Sequence, residues 1–90
     1  MEQEFRVDIE IFGVLYTLKG NRTPEQMLAL AQHVDNTMKR LANYNPKLST
    51  SYLAVLAALN LADELHMLRK EYDDLVQLLE PEKDDTRLNS

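Results

Sequence analysis

The ninety residues contain no cysteine and no tryptophan, only two glycines and three prolines, and few aromatics. Without cysteine there is no disulfide, no thiolate nucleophile and no zinc–thiolate site. Two isolated glycines, Gly13 and Gly20, do not make a phosphate-cradling loop. No apolar run approaches the roughly 18 to 20 residues of a membrane span. The acidic start, Met1-Glu2-Gln3-Glu4, does not have the form of a secretory leader, so a cytoplasmic location is the expectation. A core without tryptophan must be built from Leu, Ala, Val and Met, which favours helices. A domain this small that lacks disulfide staples gains stability by oligomerising.

What is present is charge, unevenly spread. The net charge is −5; residues 1–18 carry −3, residues 19–47 carry +3 and residues 48–90 carry −5. An acidic balance argues against nucleic acid as the partner, because phosphate contacts supply most non-specific affinity. The basic middle segment reads as a solvated mixed-charge face, with contact to an acidic protein surface as the alternative.

Residues 5–20 read as a β-hairpin. Phe5, Val7, Ile9 and Ile11 alternate with Arg6, Asp8 and Glu10, the period of a half-buried strand. Gly13-Val14 fits a two-residue turn with glycine at its first central position. That turn sets Phe12 opposite Leu15, Ile11 opposite Tyr16, Ile9 opposite Leu18 and Asp8 opposite Lys19. One face then collects Val7, Ile9, Ile11, Tyr16 and Leu18. Phe12 and Leu15 are left over on the polar face, beside the turn.

Thr23-Pro24-Glu25-Gln26 is a helix start: Thr23 caps, Pro24 takes the first helical position and Gln26 completes a capping box. Met27, Ala31, Val34, Met38 and Leu41 give an apolar stripe, widened by Leu30, as far as the break at Asn43 to Pro46. Ser49 or Thr50 caps a second helix that runs uninterrupted to about Glu80, ahead of Pro81. At 1.5 Å per residue it is roughly 45 Å long, more than a hairpin and one helix can cover. The remainder, residues 81–90, is expected to be a disordered, polar tail.

A heptad seam starts at Ala54 in this second helix. It continues through Ala58, Leu61 and Leu65 and ends with Leu68, Tyr72, Leu75 and Leu79. Up to Leu59 a second apolar face (Tyr52, Leu53, Val55, Leu56, Leu59) runs beside it. Past Ala62 the other faces carry Asp63, Glu64, His66, Arg69, Lys70, Asp73 and Asp74, and only the seam stays apolar. The expectation is an α+β fold: an N-terminal hairpin and a shorter helix packed on a long C-terminal helix that extends as a coiled coil. Residues 1–60 form the head and 61–80 the oligomerisation helix. Ala58, Leu61, Leu65, Leu68, Tyr72, Leu75 and Leu79 face a second copy. A dimer is the expected folding unit, and Val76 and Leu78 widen the stripe enough for a tetramer. His33 and His66 stand alone at no metal-ligand spacing, and no Ser–His–acid set is apparent. No catalytic, cofactor or metal site is expected.

The strand Val7 to Gly13 (VDIEIFG) with Tyr16, the P-E-Q helix opening, the break at Asn45-Pro46 and the run Leu53 to Leu65 (LAVLAALNLADEL) together resemble the ZapA family. The resemblance covers about residues 5–75. It implies a small α/β head with a coiled-coil helix, dimers that often pair as antiparallel tetramers, and binding to FtsZ at mid-cell, where filaments are bundled and the Z-ring is stabilised. Some members have an arginine directly after the hairpin glycine; here Val14 stands there, so that charge role is not carried over. Docking on acidic FtsZ is instead expected of Lys39, Arg40 and Lys47 with Tyr44. The alternative is a dimeric coiled-coil adaptor whose helix itself docks another protein.

Overall fold

A computed structural model describes residues 4–80; the expected tail at 81–90 lies outside them. The order is β1 (Phe5–Ile11), β2 (Val14–Gly20), α1 (Pro24–Tyr44) and α2 (Thr50–Leu78), an α+β arrangement with one two-stranded antiparallel sheet. The chain divides after Ala58 into two units, the second beginning with Leu59 in the same helix.

Both helices start where side-chain chemistry dictates. At α1 the Thr23 hydroxyl accepts the Gln26 N–H at 3.2 Å and the Gln26 side-chain oxygen accepts the Thr23 N–H at 3.0 Å. Two N–H groups that have no partner inside the helix are thereby satisfied. At α2 the cap is Ser49, whose hydroxyl accepts the Tyr52 N–H at 3.1 Å. Asn45 ends α1, its N–H donating to the Leu41 carbonyl.

The hairpin corrects the expected register. Ile11 pairs with Val14, Glu10 with Leu15, Ile9 with Tyr16, Asp8 with Thr17 and Val7 with Leu18. The turn is therefore Phe12-Gly13 and not Gly13-Val14. Both turn residues have positive φ, 52° and 82°, the backbone of a type I′ turn. The expected pairing was displaced by two residues, which leaves every side chain on the face assigned to it. Val7, Ile9, Ile11, Tyr16 and Leu18 do share a face. Asp8, however, meets Thr17, whose hydroxyl donates to its carboxylate at 2.7 Å, and Lys19 faces Arg6.

The core of the first unit forms where β1 and the start of α2 meet α1. Ile9, Met27, Ala31, Met38, Leu53 and Ala57 are buried, Leu53 and Ala57 to 2% exposure. Met38, Leu53 and Ala57 make one cluster, flanked by half-buried Ile11, Phe12, Val34, Leu41, Ala42 and Leu48. Phe12 thus belongs to the edge of the core and not to a free polar face. Thr37 is buried among them with its hydroxyl bonded to the His33 carbonyl at 2.8 Å, so it adds a polar atom without an unmet bond.

Candidate self-association and docking surfaces

Among the described residues six apolar side chains are buried, whereas seventeen large ones are exposed. Scattered exposed apolar residues are ordinary on a protein surface. Here most lie on the second unit and on β2; Leu28, Leu30 and Tyr44 are exposed on α1, so Leu30 does not widen its buried stripe, and Tyr52 and Val55 are exposed at the start of α2.

In the second unit, spacings of three and four hold Leu61, Leu65, Leu68, Tyr72 and Leu75 on one stripe of the helix, and Leu79 follows in the turn just past its end. Leu61 is half-buried and the others are exposed, Leu68 to 63% and Tyr72 to 67%. Leu68 and Tyr72 line a shallow apolar hollow bordered by Arg69 and Asp73. On the polar side Lys70 reaches Asp74 at 3.5 Å, one turn on. An exposed pair of this kind contributes at most about 0.5 kcal/mol.

Within the first unit, the start of α2 divides its apolar residues three ways. Leu53 is buried, and so is Ala57, whose small side chain gives no sequence signal of its own. Leu56 is half-buried. Tyr52 and Val55 are exposed, as are Ala54 and Ala58 on the seam side. The second apolar face expected of this segment is thus part core and part surface.

Of the four basic and aromatic residues expected to dock a partner, Lys39, Arg40 and Tyr44 lie in the last part of α1 and Lys47 in the loop after it. Lys39 is turned along α1 to Asp35, with its Nζ 2.9 Å from the carboxylate. Arg40 and Tyr44 are one helical turn apart and share a face. Tyr44, the last residue of α1, is 80% exposed. Lys47 follows in the connecting loop, exposed, its N–H donating to the Asn45 side-chain oxygen at 3.3 Å.

Asp35 itself escaped the sequence reading. Its carboxylate accepts the Phe12 N–H at 2.7 Å across 23 residues, and its side chain is only 16% exposed. The Phe12 N–H, and after it the Lys39 ammonium, hold its carboxyl below the ordinary value, against a smaller opposing effect of burial. The hint in the sequence is slight: Asp35 is one of two acids, with Glu25, in the basic stretch 19–47. Nothing local connects it to the turn.

No group of His, Cys, Asp and Glu able to hold a metal ion occurs among the described residues. Nor is any helix among them long and apolar enough to cross a membrane.

Comparison with known proteins agrees with this architecture. Residues 7–89 match the family model described as "Cell division protein ZapA". A cell division protein ZapA from Geobacillus sp. (strain WCH70) is 38% identical over 84 residues, covering 93% of this chain and 97% of the relative. One from Bacillus thuringiensis (strain Al Hakam) is 36% identical over 70 residues, 78% of this chain and 79% of the relative. Among solved structures, the chain is similar to a "ZapA mutant dimer from Geobacillus stearothermophilus". The TM-score is 0.70 at 32% identity, over 89% of this chain and 93% of that one. A match along nearly the whole length, joined to the same hairpin-and-two-helix fold, places this chain in the ZapA family of cell division proteins.

Proposed function

We propose that the protein is a non-enzymatic cytoplasmic division factor that self-associates, binds FtsZ and cross-links its protofilaments at the division site. The exposed leucine stripe of α2 carries this reading. A seam that stays apolar through Leu65, Leu68, Tyr72, Leu75 and Leu79, while the other faces of the helix are charged, suits a sister helix. The family membership, and the dimer named for the relative from G. stearothermophilus, support a homodimer as the assembled unit. Two dimers joining through their helix ends make a tetramer, helped by Val76 and Leu78 beside the seam.

The mechanism is avidity. One subunit offers one weak filament site, and an oligomer with two or more sites converts the second contact into an intramolecular event. Filaments are bridged without any single strong interface. Lys39, Arg40, Tyr44 and Lys47 are the proposed filament contacts.

Co-sedimentation with polymerising FtsZ tests the proposal: bundles should pellet at low speed when the protein is present at about micromolar concentration. A protein that forms its dimer yet neither pellets with FtsZ nor bundles it would instead be an adaptor for some other helix.

A further inference from the structure

The sheet is covered on one strand only. β1 packs against α1 and buries Ile9, whereas every residue of β2 from Val14 to Lys19 is exposed. The exposure is apolar on both faces. Val14, Tyr16 and Leu18 lie on the side shared with Ile9, and Leu15 lies on the other, 74% exposed. Soluble proteins guard a free strand edge with charges, proline or a bulge. β1 carries Arg6, Asp8 and Glu10, but β2 carries Lys19 alone and no proline. A two-stranded sheet is also marginal by itself, and a third or fourth strand stabilises it.

We propose that β2 is a second self-association surface, pairing antiparallel with β2 of another copy to make a four-stranded sheet across a two-fold axis at Thr17. A strand that pairs antiparallel with its own copy is two-fold symmetric without further conditions, so one patch serves both chains. The sequence of β2 is complementary to itself in that register. Tyr16 falls opposite the copy's Leu18 and Leu18 opposite its Tyr16, two aromatic–aliphatic pairs on the apolar face. Thr17 meets Thr17. Lys19 meets Leu15, which keeps the two ammonium groups apart and covers the most exposed leucine of the hairpin. Pairing about any residue of β2 keeps the apolar faces aligned, whereas an axis between two residues sets apolar against polar. The surface does not depend on the FtsZ reading or on the α2 seam.

The absence of native cysteine makes a clean test. Single variants Leu15→Cys, Tyr16→Cys, Thr17→Cys and Leu18→Cys are left to oxidise in air as the otherwise intact chain and run on non-reducing gels. Circular dichroism checks that each retains its fold. Directly opposed residues of an antiparallel pair lie about 4.5–5.5 Å apart at Cα, within disulfide range. With the axis at Thr17, Thr17→Cys should convert most chains to covalent dimer. Leu15→Cys should not, since four residues of stagger carry the sulfurs out of reach. A maximum at 16 or 18 supports the same pairing with its axis moved one residue. Folded variants that all stay uncross-linked overturn the proposal, and β2 is then covered by a helix of the second copy or by a different protein. Light scattering on Leu68→Glu tests the seam separately, so failure of one surface is not mistaken for failure of the other.

Discussion

The Phe12 N–H and the Asp35 carboxylate, 2.7 Å apart, tie the hairpin turn to the middle of α1. Phe12 has a φ of 52°, a left-handed backbone that a bulky residue rarely adopts. A charge-assisted bond to its N–H and half-burial of its ring against Met38, Leu53 and Ala57 are what hold it there. The turn is therefore fixed by tertiary contacts at Phe12 and by the glycine backbone at Gly13.

Asp35→Asn should lower the thermal midpoint by several degrees, because the turn loses its anionic anchor and Lys39 its partner. The pH dependence has a definite sign. A carboxyl held below its ordinary value of 3.8 in the folded state contributes stability above that pH. The contribution is lost as the pH falls from there through the lowered value. Denaturation midpoints followed from pH 6 downward should fall with acid, and less steeply in the Asn variant. Identical acid profiles for the two proteins would refute the assignment.

The two turn residues should respond differently. Asparagine tolerates the left-handed region, so Phe12→Asn relieves backbone strain while losing ring packing, and stability should change little. Gly13 has a φ of 82° and open space where a Cβ would stand. Gly13→Ala should therefore destabilise by about 1–2 kcal/mol through the backbone alone. Urea titrations of both variants check the contrast.

Helix and core contributions can be separated in the same assay. Thr23→Ala removes half of the capping box and should destabilise by about 1 kcal/mol. Leu53→Ala leaves a cavity at the most enclosed side chain and should destabilise by about 2–5 kcal/mol. A Leu53 variant as mild as the Thr23 one would mean that this end of α2 is not the centre of the core.

Leu68→Glu should dissociate the oligomer formed along the α2 seam, because an unpaired carboxylate would be buried between helices. Light scattering over a concentration series reads the mass. A mass equal to that of the parent protein would rule out the seam as the contact.

Tyr44→Ala combined with Lys47→Glu should leave the mass and the melting curve nearly unchanged while weakening co-sedimentation with FtsZ. Both side chains are exposed, and neither belongs to the core. This pair is a better probe than Lys39→Glu, which would set a second carboxylate beside Asp35 and disturb the turn. Undiminished bundling would move the docking face elsewhere on the head.

The parts of this fold written in short-range chemistry were legible in the sequence. Thr23, Pro24 and Gln26 specify the start of α1 within four residues, and the alternation from Phe5 to Ile11 specifies a strand and its inner face. The hairpin register was not legible, because displacement by two residues preserves the apolar face and only the turn distinguishes the alternatives. The turn in turn depends on Asp35, 23 residues away. The same limit applies to the surfaces: a heptad pattern shows which residues line up, but Leu53 and Tyr52 look alike until α1 is seen to cover one of them. Lys39 and Arg40 are neighbours in sequence, and nothing in that sequence marks Lys39 as the partner of Asp35.

Six buried apolar side chains among the described residues give one copy little with which to oppose its own conformational entropy. For such a molecule concentration acts as a folding reagent: the thermal midpoint climbs with the amount of protein, and dilution alone favours the unfolded chain. A cell making too few copies would hold scattered unfolded chains, not a smaller number of assembled units. On the proposed function, cross-linking of filaments would switch on over a narrow range of expression.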